Sequence, residues 1–154
     1  MNKAKISDFF FAGIVFGIIN GLINNLYIVL LRLFHVNTGK PWEDAAALFF
    51  REPERSTFAA QLFGFLMSMN APIFISIALC LLVKLSGRDY IYVKSIAIAE
   101  LTTFFTFVAV FPPLGVTYLK HSIATVWGAL FGMLLFGISL GYLVKKFTDL
   151  GYRQ

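Results

Sequence analysis

Four long apolar stretches, almost free of charge, constrain this chain more than any other feature. They predict spans at about residues 9–31, 57–83, 91–111 and 119–144. A helix needs about 20 apolar residues to cross a bilayer core, within a usual range of roughly 17 to 25. Because lipid offers no partners to backbone N–H and C=O groups, each stretch should be helical. The sequence therefore predicts an all-α integral membrane protein, built as a four-helix bundle.

The composition favours the same class over a soluble all-helical fold. The chain is 58% hydrophobic and 14% charged, whereas about a quarter of the residues in a soluble domain are charged. No repeat or linker divides it, so residues 1–154 are expected to form one transmembrane domain. Cys80 is the only cysteine, which excludes a disulfide within the chain.

The distribution of basic residues predicts the orientation. One side would hold Lys3, Lys5, Lys84, Arg88, Lys94, Lys145, Lys146 and Arg153, and the other Arg32, Lys40, Arg51, Arg55 and Lys120. The positive-inside rule places the richer side, and with it both termini, in the cytoplasm. We interpret the net charge of +5 as a topology signal and a contact with anionic lipid headgroups, not as a nucleic-acid-binding surface.

The first connection predicts a short helix over about residues 41–50. Pro41 suits a first helical turn, acidic residues follow it, and Trp42 and Phe49 share one face. An aromatic face of this kind is typical of a helix lying on the outer membrane surface. A lid for partner binding or gating is the alternative.

Glycines spaced four residues apart predict close helix contacts. Such spacing occurs at Gly13, Gly17 and Gly21 in the first span, at Gly64 with its small neighbours Ala60 and Ser68 in the second, and at two pairs in the fourth, Gly128 with Gly132 and Gly137 with Gly141. Small residues let membrane helices approach closely. One stripe can serve the bundle while another pairs two subunits, so the expected partners are lipid and a second copy or another membrane subunit.

Asparagines accompany the first glycine stripe. At 100° per residue, Asn20 and Asn24 fall on the glycine face, whereas Asn25 lies off it. Amides on a contact face commonly join membrane helices by hydrogen bonds. We therefore interpret this face as a helix contact first, with a functional site as the alternative.

Polar residues near the middle of three spans predict a midplane cluster. Its candidate members are Glu100, Asn20, Asn24, Asn70, Thr103 and Ser68. Pro72 removes a backbone donor and leaves the Ser68 carbonyl without its helical partner. Transporters often place their sites at such broken helices. Ser68 and Asn70 face nearly opposite directions on an ideal helix, so both converge only if the kink at Pro72 reorients one.

Glu100 is the candidate that most favours a function. A carboxylate at that depth is costly when ionised, so it should be protonated, paired or hydrated. No Lys or Arg is expected at its level. Two interpretations stay open: a neutral carboxyl bonded to Asn20, Asn24 or Thr103, and the site of a small transporter or channel.

The sequence carries no recognisable catalytic or cofactor motif. His35 and His121 both fall near the outer face and could meet at a metal or a haem. No ligand spacing such as H-E-x-x-H or C-x-x-C supports that site. We therefore expect no metal, no cofactor and no catalytic residues, and a membrane enzyme or haem carrier ranks third among the functions.

Three segments of the chain resemble a known family. They are "FFFAGIVFGI" at the start of the first span, the turn "FPPLG", and "SIATVWGALFGMLLFGISLGY" in the last span. In these segments the chain resembles the YqhR-type family of small bacterial membrane proteins and, more loosely, the YagU-like proteins. The resemblance implies a multi-pass protein of the bacterial inner (plasma) membrane, and it brings no assigned activity or site residues.

Together these features predict a non-enzymatic polytopic membrane protein that acts by helix packing. It would work as a homo-oligomer or as an accessory subunit. The alternative is a small transporter or channel that uses Glu100 in the midplane cluster.

Overall fold

The computed structural model describes residues 5–36, 38–105 and 123–150, and their regular structure is helical. The helices are α1 (Phe9–Leu33), α2 (Pro41–Ala47), α3 (Phe58–Ser68), α4 (Asn70–Ser86), α5 (Ile91–Phe105) and α6 (Ile123–Phe147), with a 3-10 turn at Glu54–Ser56. Three helical segments are long and apolar enough to cross a membrane: Phe9–Leu33, Phe58–Ser86 and Val126–Phe147. The prediction of an all-α protein with membrane-compatible helices is confirmed. Residues 106–122, which include parts of the third and fourth predicted spans, lie outside the described ranges.

Local chemistry explains where several helices begin and end. Asp8 caps α1 by accepting a hydrogen bond from the Phe11 N–H at 2.7 Å. Gly87 ends α4 in a positive-φ conformation (φ 78°) that glycine adopts without strain. The Lys94 ammonium then donates to the Gly87 carbonyl at 2.9 Å, which places a cation at the negative end of α4.

A break at Met69 separates α3 from α4. The Met69 N–H bonds to the Leu66 carbonyl at 3.2 Å, a three-residue spacing. Pro72 follows within one turn and has no N–H to offer the Ser68 carbonyl. Helix α4, which follows the break, packs along α1, whereas α3, which precedes it, makes few contacts with α1. The break therefore turns one candidate span away from its neighbour.

Helices α1, α4, α5 and α6 pack around one apolar core. Helix α1 lies against α4 and α6, and α5 lies against α6 and, less extensively, α4. The core comprises Ala12, Phe16, Ile75, Leu79, Cys80, Val83, Ile91, Ala99, Phe136, Leu140, Val144 and Leu150. Most of these residues lie towards the start of α1 and the ends of α4 and α6. We call this part of the bundle the closed half.

Residues near the start and the end of the described chain meet at the closed half. The Ile6 N–H bonds to the Phe147 carbonyl at 2.9 Å, and the Asp149 N–H bonds to the Ile6 carbonyl at 3.0 Å, which forms an isolated bridge between Ile6 and Thr148. The Arg88 guanidinium donates to the Thr148 carbonyl and, at 2.9 Å, to the Thr148 hydroxyl. The α4–α5 turn is thus held to Thr148, and Thr148 to Ile6.

Helix α2 packs against the flank of α3. Gly64 meets the backbone of α2 at Trp42 and Ala46. It lies six residues into α3, about 9 Å along the axis. Beyond α2, Phe49 and Phe50 pack edge-on against Phe63, with ring centroids 5.1 and 5.4 Å away. The helix predicted over 41–50 thus ends at Ala47, and with α3 and the end of α1 it forms what we call the open half.

Candidate functional site

The glycine stripe of α1 lies against α4 and the break that precedes it. A Cβ atom on Gly13 would sit 2.6 Å from the Ile77 Cα, and one on Gly17 would collide with the Ile73 backbone. On Gly21 it would sit 2.8 Å from the Met69 sulfur. The two helices are therefore in backbone contact at Gly13 and Gly17, one turn apart, an approach that larger residues would prevent.

The other predicted glycines also lie at contacts within the chain. A Cβ on Gly137 would sit 2.7 Å from the Ile96 Cα, and one on Gly141 would sit 2.7 Å from the Ser95 hydroxyl. Gly128 and Gly132 face α1 and the segment after it. The eight stripe glycines thus pack helices of one chain against each other, so substituting them tests the fold before any subunit contact.

Asn20 connects α1 to α6 inside the bundle. Its side chain is fully buried, and its Oδ1 atom accepts a hydrogen bond from the Ser139 hydroxyl. The Asn20 Nδ2 atom is buried without a hydrogen-bond partner. Sequence reasoning missed Ser139, although a serine between Gly137 and Gly141 in an apolar span is a visible signal.

The structure does not join the predicted midplane residues by hydrogen bonds. Ser68 and Thr103 each donate to a carbonyl of their own helix, those of Phe65 and Ala99, and Asn70 donates to the Met67 carbonyl three residues before it, at the end of α3. Asn70 is exposed. Within the described residues, no hydrogen bond links any two of the six candidates, and Asn20 pairs with Ser139 instead of Glu100.

Glu100 and Asn24 lie on two helices, α5 and α1, that both contact α6. Ile96, one turn before Glu100 on α5, faces Gly137 of α6. The Asn24 Oδ1 atom would be 3.3 Å from a Cβ on Gly132 of α6. The Glu100 Oε1 atom is buried and has no hydrogen-bond partner.

A groove lies between α1 and α3, with α2 at its side. Its volume is about 400 Å³, towards the lower end of the roughly 300–1,000 Å³ of ligand pockets. It is lined by Asn25, Leu26, Val29, Trp42, Phe58, Gln61, Leu62 and Phe65. We call it the α1–α3 groove, and it exists because the break at Met69 separates the two helices.

Asn25 lines this groove, but its amide oxygen is enclosed by the protein. Its Nδ2 atom donates to the Gly21 carbonyl at 2.9 Å, one turn back along α1. Its Oδ1 atom is buried without a partner, and the residue is only 8% exposed. The sequence signal was present, since Asn25 lies off the glycine face, but periodicity does not say what that side of the helix meets.

The predicted histidine pair is only partly described. His35 is exposed and follows α1 in a positive-φ conformation (φ 60°). His121 lies outside the described residues. Within the described ranges, no group of three or more His, Cys, Asp or Glu side chains could hold a metal ion.

Comparison with known proteins found no matching family model, no matching curated protein and no matching solved structure.

Proposed function

We propose that this chain is a non-enzymatic four-helix protein of the bacterial inner membrane that acts by helix packing, as a homo-oligomer or an accessory subunit. The observation that carries the proposal is the close glycine packing of α1 on α4 and of α5 on α6. Helices in backbone contact form a stiff unit, because interfaces packed this closely do not deform continuously. The outward faces of that unit hold large apolar side chains, such as Phe58 and Phe74.

The test of this proposal is the stoichiometry in the native membrane. The tagged protein is expressed at its natural level, extracted into polymer nanodiscs and analysed by native mass spectrometry. We expect two or more copies, or one copy with a second membrane polypeptide at fixed ratio. A single copy without a polypeptide partner would contradict the proposal.

The proposed topology has four spans with both termini in the cytoplasm. Lys84, Arg88, Lys94 and Lys145 lie at the closed half, where the chain ends also meet, and a cationic end agrees with the positive-inside rule. Cysteine labelling on intact cells tests it in a Cys80→Ser background. Glu54→Cys should react with a membrane-impermeant maleimide, and Asp149→Cys should react only after permeabilisation. The opposite pattern would invert the topology.

A small transporter or channel is the second candidate, favoured by buried polar atoms without partners. The Glu100 Oε1 atom and the Asn20 Nδ2 atom both lie in apolar helices and lack hydrogen bonds. Polar groups of this kind in spans commonly mark ion or proton pathways. Purified protein in liposomes should then dissipate a pH gradient, and Glu100→Gln should abolish the flux while Glu54→Gln leaves it intact. Equal flux in both variants would exclude a carboxylate mechanism.

A further inference from the structure

We propose that one side of α4, which we call the outer face, is a dimer interface, and that a second copy of the chain covers it with its own Asn70 paired to the first. The inference rests on the proposed function and deepens it by assigning the homo-oligomer to one surface. The outer face comprises the exposed residues Asn70, Ala71, Phe74, Ala78, Leu81 and Leu85. Its direction, its polar residue and its shape lead to this partner.

The outer face points away from the helices that pack against α4. Ile77 and Ile73 lie against Gly13 and Gly17 of α1. The buried residues of α4 are Ile75, Ser76, Leu79, Cys80 and Val83. At 100° per residue, the outer face occupies an arc of about 100° that contains none of these residues. An arc of that width is enough for a contact with one further helix.

Asn70 is a polar residue near the middle of a candidate membrane span. The span runs from Phe58 to Ser86, so Asn70 lies about 18 Å from one end and about 24 Å from the other along the axis. Its side chain is exposed. An amide that faces hydrocarbon is unfavourable, because lipid tails offer neither donors nor acceptors. A protein surface that supplies both groups would remove this cost.

The Asn70 amide keeps one donor and one acceptor available. Its Nδ2 atom donates to the Met67 carbonyl at 3.1 Å, which uses one of its two N–H groups. Within the described residues its Oδ1 atom accepts no hydrogen bond. A second Asn70 would satisfy both groups, because each amide would donate to the oxygen of the other.

Two-fold symmetry brings the two amides to the same level. A two-fold axis along the membrane normal gives both copies the same orientation, so Asn70 of one copy lies at the depth of Asn70 of the other. A different polypeptide would need its own donor and acceptor at that depth. Symmetry therefore favours a second copy of this chain as the partner.

The shape of the outer face also suits a copy of itself. The Phe74 ring is 71% exposed, and the small residues Ala71 and Ala78 lie three positions before it and four positions after it, both exposed. Small residues let a neighbouring helix approach closely. Because each copy carries the same pattern, the Phe74 ring of one can pack over the alanines of the other.

Cysteine cross-linking in native membranes tests this interface. The full-length chain carries Cys80→Ser together with Ala78→Cys, and it is oxidised with copper phenanthroline at its natural expression level. A disulfide joins two cysteines only when their Cα atoms lie within about 7 Å. Ala97→Cys is the matched control, since Ala97 is an exposed alanine of α5. The two alanines lie about 12 and 9 Å from the helix ends at the α4–α5 turn.

We expect a disulfide-linked dimer from Ala78→Cys and only monomer from Ala97→Cys. Energy transfer between labelled copies in liposomes, diluted with lipid, then measures the dissociation constant of the dimer. Asn70→Leu should raise it about sevenfold, the factor that two interhelical hydrogen bonds of average strength provide. Asn70→Gln, which keeps a donor and an acceptor, should retain the parent affinity.

Three outcomes would overturn the interface while leaving the proposed function standing. Monomer from both cysteine variants, where native mass spectrometry finds two copies, would place the dimer contact on another face. A cross-link from Ala78→Cys to a different polypeptide would assign the outer face to that polypeptide. Reaction of Asn70→Cys with a membrane-impermeant maleimide would show that water, not a second amide, meets this position.

A single copy without a polypeptide partner would overturn the proposed function and the interface together. The cross-linking comparison keeps Asn70 in place, so it does not depend on whether Asn70→Leu folds.

Discussion

The closed half and the open half of this bundle differ in what their helices meet. In the closed half four helices surround an apolar core, and the Ile6–Thr148 bridge ties the chain ends. In the open half α3 leaves α1, and α2 packs on α3 beside the α1–α3 groove. The boundary is the break at Met69. One interruption in a helix can thus separate a region packed around a core from a region in which the helices make fewer contacts.

Gly17→Leu should have the largest effect, because it pushes α1 away from α4 at the Ile73 backbone. Backbone contacts cannot relax as side chains do, so we expect a loss of about 3 kcal/mol or more in the free energy of unfolding. Denaturation with SDS, followed by circular dichroism, measures it. Gly39→Leu is the matched control, since the nearest atom to its added Cβ would be 3.6 Å away. Similar losses of unfolding free energy in both variants would mean that the contact between Gly17 and Ile73 does not stabilise the closed half.

Arg88→Met should have the next largest effect. It removes the hydrogen bonds that join the α4–α5 turn to Thr148, and charge-assisted bonds of this kind contribute about 2 kcal/mol. Arg55→Met provides the comparison in the open half. Arg55 pairs with Glu52 at 2.6 Å on the surface, and exposed pairs contribute less than about 1 kcal/mol. Equal midpoints of SDS denaturation for the two variants would contradict the assignment of Arg88 to a stabilising role.

Ser139→Ala should have a smaller effect on the bundle interior. It removes the hydroxyl that donates to Asn20 across the α1–α6 contact, and hydrogen bonds between membrane helices average about 0.6 kcal/mol, with a maximum near 1.7. Ser68→Ala, whose hydroxyl donates only to Phe65 within α3, should change the same SDS midpoint less. The reverse order would mean that Asn20 is satisfied in some other way.

Gly64→Leu should distinguish the two halves most clearly. We expect it to destabilise α2 while changing the stability of the closed half least. It drives α2 off α3 at Trp42 and Ala46, so hydrogen exchange of the α2 amides should accelerate. Distant sites couple by less than about 0.5 kcal/mol, so the free energy of unfolding of the closed half should be nearly unchanged. Hydrogen exchange with mass spectrometry reads both regions in one experiment. Unfolding of α4 and α6 together with α2 would show that the halves are not independent.

The sequence could predict the helices but not their neighbours. Apolar length identified the candidate spans, and four-residue spacing singled out glycines such as Gly13 and Gly17, which the structure places against α4. Pro72 indicated an interrupted helix, and α3 does end within a turn of it. These features depend on local chemistry, which a periodic pattern records.

The groove and the hydrogen-bond partners could not be predicted in the same way. Asn25 was recognised only as lying off the glycine face, because a helical wheel gives a direction but not what lies there. Ser139 and Arg88 act on residues more than 50 positions away in the chain. A role for Glu100 with Asn20, Asn24, Asn70, Thr103 or Ser68 stays a prediction, since their convergence depends on tertiary packing.

The bridge between Ile6 and Thr148 affects how the molecule is made. Its two partners are synthesised more than 140 residues apart, at opposite ends of the described chain. Helix α1 is synthesised before α6, so the contact between them can form only after α6 has been made. The Asn20 amide therefore waits for its hydrogen-bond partner Ser139, which is synthesised 119 residues later.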